Sequence, residues 1–118
     1  MTDFNEKLDK ILIECSYENW DGYKAEPISE EVIEYSKIFI KNMEGYLEKC
    51  DENPAPCCDG DIHFDFGING NSLTVCVDKS GTVIYVGAFN DNRVKATENN
   101  IFVAIEKIKR LLRDNNLK

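Results

Sequence analysis

The reactive groups that lie closest together in this chain are sulfur and imidazole. Cys50, Cys57, Cys58 and His63 supply three sulfurs and a ring nitrogen, donors that zinc takes in tetrahedral sites. Asp59 could replace one of them. The spacing suits that chemistry poorly. No Cys-x2-Cys pair is present, adjacent cysteines do not easily face one ion, and His63 is the single histidine. The same histidine is the available base for thiol catalysis, which needs a nucleophile, a base and an orienting group. Cys76, His63 and Asp65 make such a set if His63 and Cys76 meet across a hairpin. No oxyanion-hole loop accompanies them, and no P-loop, dinucleotide fingerprint, nucleophile elbow or EF-hand loop is present. The expectation is a non-enzymatic protein without a cofactor or an assigned metal. The alternative is a small zinc- or thiol-dependent enzyme using Cys57, Cys58, Cys76 and His63.

A second constellation is aromatic and acidic. Asn19-Trp20-Asp21-Gly22-Tyr23 places the only tryptophan between two helix-like segments. Trp20 and Tyr23 are the residue types that dominate binding hot spots. The competing reading has Trp20 plugging a helix–sheet junction, Asp21 bonding backbone amides and Gly22 taking a positive φ. Around this loop gather Asp21, Glu26, Glu30, Glu31 and Glu34, with Glu44, Glu48, Asp51, Glu52, Asp59 and Asp61 further on. Lys37, Lys41 and Lys49 interrupt them. A solvated helix face laced with pairs such as Glu34–Lys37 and Lys41–Glu44 is the plainer reading.

Charge sets the class of partner. Net charge is −8 over 118 residues. Residues 1–61 hold 16 acidic against 6 basic side chains, the remainder 6 against 8. That argues against direct nucleic-acid binding, which rewards clustered Lys and Arg. It suits a basic protein or nucleoprotein complex. No apolar run approaches a membrane span. The N-terminus lacks the basic and apolar regions of a secretory signal. With five cysteines, an odd count, the expected setting is a reducing cytoplasm with free thiols.

The elements that must position these groups follow from periodicity. The spacing of Phe4, Leu8, Ile11, Leu12 and Cys15 predicts a helix over 3–16. Residues 30–49 read as a second, with Ser29 as N-cap, Glu30 and Glu31 in its first turn, and Ile28 and Ile33 as a hydrophobic staple. Ile33, Ser36, Ile40, Met43 and Leu47 form its face, widened by Tyr35, Phe39 and Tyr46. Residues 50–61 read as a loop. The period then becomes two: strands at Ile62–Ile68 and Leu73–Asp78 flank an Asn69-Gly70-Asn71 hairpin signal, and Thr82–Phe89 makes a third. Residues 90–98 read as a polar loop and 99–114 as a final helix. The expectation is one α+β domain over 1–118, order α-α-β-β-β-α. Its three-stranded antiparallel meander packs one face against the helices.

The run from Asn19 to Ser29, the second helix, the Pro54-Ala55-Pro56 and Asp59-Gly60 turns and the first two strands resemble a family of small bacterial and phage-borne proteins. Its members share an Asn-Trp-Asp-Gly-Tyr loop, then Pro and Ser opening a helix, then a Pro-rich turn into an antiparallel hairpin. The resemblance covers roughly residues 18–87. It implies the same element order and a prokaryotic or mobile-element origin, and it brings no catalytic residues. The resulting expectation is an acidic protein-binding module that neutralises a basic partner. An anti-CRISPR-like inhibitor of host defence and an immunity protein or antitoxin both fit. Partner-binding residues are expected at Trp20, Asp21, Tyr23, Glu26, Glu30, Glu31 and Glu34. Such a protein would be a monomer or a homodimer, the latter through the free side of its sheet or the Tyr35/Phe39/Tyr46 face.

Overall fold

The computed structural model describes residues 4–20, 22, 25–43, 45, 54–57, 59–68, 71–89 and 92–114. Helix α1 (Phe4–Cys15) buries Phe4, Leu8, Ile11 and Cys15, the single stripe that their spacing demands. Helix α2 (Glu30–Asn42) starts where Ser29 Oγ accepts the Val32 amide, which satisfies one of the unpaired N–H groups of the first turn. It ends at Asn42, where the Met43 amide donates to the Ile40 carbonyl at 3.1 Å. The helix is thus shorter than its apolar pattern suggests. Glu44 and Tyr46–Cys50 lie outside the described residues, and with them part of the expected face.

The sheet has five strands, not three. β1 (Ala55–Pro56), β2 (Ile62–Ile68), β3 (Asn71–Val77), β4 (Val83–Phe89) and β5 (Asn92–Glu98) pair antiparallel in sequence order. β1 sits inside the stretch read as a loop. It is two residues long at the sheet edge, where Pro56 costs no ladder bond. β5 replaces the expected loop over 90–98. Its apolar residues Val94 and Ala96 pack against the core, and Glu98 on the same side accepts from Lys107 of the last helix at 2.8 Å. An edge strand needs no more than that. Its remaining polar residues conceal the period of two.

The turn from β3 to β4 depends on two residues. Asp78 Oδ1 accepts the Ser80 and Thr82 amides at 2.9 and 3.0 Å. Gly81 takes φ +81°, with the Tyr35 ring 2.8 Å from where a β-carbon would stand, so any side chain there meets both strain and a collision.

All three helices cover the same face of the sheet. α1 lies toward β1, α2 over β2 and β3, and α3 (Ile101–Asp114) over β4 and β5. Asn100 Oδ1 caps α3 by accepting the Phe102 and Val103 amides. At the centre, the Phe39 ring of α2 meets Phe64 at 4.8 Å and Phe66 at 6.4 Å, tilted and edge-on, as aromatic quadrupoles prefer. The other face of the sheet has no element over it among the described residues. No helix among them is long and apolar enough to cross a membrane.

Candidate functional site

The connection between α1 and α2 is pinned at several points. The Ile28 amide donates to the Cys15 carbonyl at 2.8 Å and closes the loop. Inside it, the Asn19 amide donates to the Ala25 carbonyl at 2.9 Å and the Gly22 amide to the Asn19 carbonyl at 3.0 Å. Asn19 adopts φ 62°, a conformation asparagine tolerates better than most residues. Trp20 is half-buried against the core, and its indole N–H donates to the Glu26 carbonyl at 2.7 Å. This contact ties the Trp20 ring to the backbone of the loop at Glu26. Asp21 and Tyr23 lie outside the described residues.

On this frame stands an acidic surface. Glu18, Glu26, Glu30, Glu31 and Glu34 are exposed, and none has an ion-pair partner among the described residues. Two cations of the flanking helices, Lys37 and Lys10, pair with other carboxylates. Lys37 reaches across to Asp9 at 2.7 Å, not to Glu34, and Lys10 lies 4.0 Å from Glu14. The Asp9 hydrogen bond, more than any other influence, raises the Lys37 ammonium above its ordinary range. A shallow, half-open depression of about 330 Å³ lies between Glu18, Asn19, Ala25, Glu26 and Pro27.

The sequence reading missed two exposed apolar residues, one in α1 and one just after it. Ile13 and Tyr17 are 77% and 57% exposed, one helical turn apart in spacing. Ile13 falls off the stripe made by Phe4, Leu8, Ile11 and Cys15, so its signal was present in the periodicity. An exposed aromatic with an exposed aliphatic, bordered by charges, has the composition of a binding centre.

The sulfur–imidazole cluster lies elsewhere, on the uncovered sheet face. His63 and Cys76 are direct cross-strand partners, as catalysis by a dyad would require. No hydrogen bond joins them among the described residues. Asp65 accepts the Thr74 hydroxyl at 2.7 Å. Burial, and then the charges of Asp61 and its neighbours, push the Cys76 thiol up to about 11. At neutral pH it is protonated, the unreactive form. Asp61 is itself pushed up to about 6, by burial first and then by Asp59 and Asp78. Of the candidate zinc set, Cys57 and His63 are described, whereas Cys50 and Cys58 lie outside the described residues. Among the described residues no three His, Cys, Asp or Glu side chains are placed to hold a metal ion.

Compared with protein-family models, with characterised proteins and with solved structures, the chain has no significant match.

Proposed function

We propose that this protein is a non-enzymatic binding module whose acidic α1–α2 surface engages a basic protein or nucleoprotein complex and neutralises it. The observation that carries this reading is the set of five exposed carboxylates, Glu18, Glu26, Glu30, Glu31 and Glu34, that have no ion-pair partner among the described residues. They are presented by backbone that the Trp20–Glu26 bond holds in place. Unpaired charge on a fixed frame speeds encounter with an oppositely charged partner and penalises wrong ones. Ile13 and Tyr17 supply the apolar contact that charge alone lacks. An inhibitor of a basic nuclease or toxin fits such a surface, and the raised Cys76 thiol weighs against the thiol-enzyme alternative.

The test is affinity capture from bacterial lysate, identification of the captured protein, and titration of the purified pair. The triple reversal Glu30→Lys, Glu31→Lys, Glu34→Lys is expected to weaken binding about tenfold or more, with the loss shrinking at high salt. Trp20→Ala is expected to weaken it as well by releasing the loop. Binding that survives all four changes would remove this surface from consideration.

A further inference from the structure

The uncovered face of the sheet has an order that only its register reveals. Reading across the strands, its middle row is Asp65, Thr74, Val86 and Lys95. Opposite charges occupy the two ends, with Val86 exposed near the centre. Three strand spacings of about 4.8 Å separate Asp65 from Lys95, too far for them to pair within one chain. Neither has an ion-pair partner among the described residues.

We infer that this face binds a second copy of the same chain, face to face about a two-fold axis that runs along the strands between β3 and β4. That operation leaves each row in place and reverses its order. It sets β2 over the copy's β5 and β3 over the copy's β4. Asp65 then faces the copy's Lys95, and Lys95 faces the copy's Asp65, so one operation makes two ion pairs. Val86 lands over Thr74. In the next row, Arg93 lands over Gly67, which has no side chain to obstruct it. Two sheets stacked about 10 Å apart bring such side chains into reach. A surface complementary to its own rotated image is what a two-fold interface requires, and an unrelated partner would give no reason for the match.

The area sets the strength. Four strands about 4.8 Å apart, each of seven residues rising about 3.3 Å, span a plane of roughly 19 by 23 Å. That is small beside the ~800 Å² per partner of a standard interface, so the dimer is a reversible one. It uses a surface separate from the acidic helices and stands independently of the function proposed for them.

Sedimentation velocity under reducing conditions, from about 1 μM to about 1 mM chain, tests this. The wild type is expected to pass from monomer to dimer across that range. Asp65→Lys and Lys95→Asp are each expected to weaken dimerisation about tenfold or more, because each sets like charges together twice. An equal mixture of the two variants is expected to regain dimer, since both contacts are then attractive. Recovery in the mixture also shows that both variants are folded. A wild type that stays monomeric throughout, a dimer indifferent to both reversals, or a mixture no better than its components would each overturn the inference.

Discussion

The two faces of the sheet are made by the same strands and differ in nearly everything else. Phe64, Phe66, Val75 and Tyr85 lie buried beneath the helices. Asp65, Thr74, Val86 and Lys95 occupy the uncovered side, one residue along each strand from a buried or partly buried neighbour. The difference shows how strands with a period of two divide their duties. A slip of one residue would exchange the faces, so the apolar side fixes the register. The other side is left free to carry charge in a chosen order.

Substitution on each face sharpens that contrast. The largest effect is expected from Phe64→Ala, which empties the contact with Phe39 and lowers the unfolding free energy by about 3–5 kcal/mol. Val86→Ala on the opposite face should change it by less than about 0.5 kcal/mol in urea titrations at low protein concentration. Equal losses would mean that the open face is also part of the core.

A smaller effect is expected at Gly87. A β-carbon there would stand 2.5 Å from the Phe89 ring on the buried side, so Gly87→Ala should cost about 1–3 kcal/mol by overpacking. Thermal melts should separate it clearly from Ala88→Ser on the open side.

The smallest is a pH effect at the start of β2. The folded chain holds the Asp61 proton more tightly than the unfolded one, up to about 6 against an ordinary 3.8. The wild type therefore loses stability as pH rises through that window. Removing the charge with Asp61→Asn should stabilise the protein at pH 7.5 by about 1 kcal/mol once solvent screening at this partly exposed group is allowed for. The difference should vanish below pH 4. A stabilisation that persists in acid would point to packing as its source.

The sequence was most legible where one periodicity runs long. α1, α3 and β2 to β4 show clear apolar spacing, and Ser29 announces the start of α2 by residue type alone. β5 was hidden because an edge strand buries little, and Val94 and Ala96 are weak markers among Asn92, Arg93, Lys95 and Glu98. β1 was hidden by its length and its proline. The cross-strand meeting of His63 and Cys76 could be foreseen from the hairpin. The upward shift of the Cys76 thiol could not, because it depends on burial and on carboxylates brought from β2 and its preceding turn. Trp20 carried both readings in the sequence. Its bond to the Glu26 carbonyl, which ties the loop down, is a contact that residue type alone does not announce.

The sequential strand order has a kinetic consequence. Each strand from β2 onward pairs with the strand just before it in the chain, and few residues separate the two. Closing such loops costs little chain entropy, so the ladder can zip outward from its first hairpin. Mixed topologies dominated by local pairings fold faster than those that must join distant strands. The helices α1 and α2 precede the sheet in the chain, so their apolar stripes lack their final cover until β2 and β3 form. The first hairpin, Ile62–Val77, is therefore the natural nucleus, and slowing it should delay every other element.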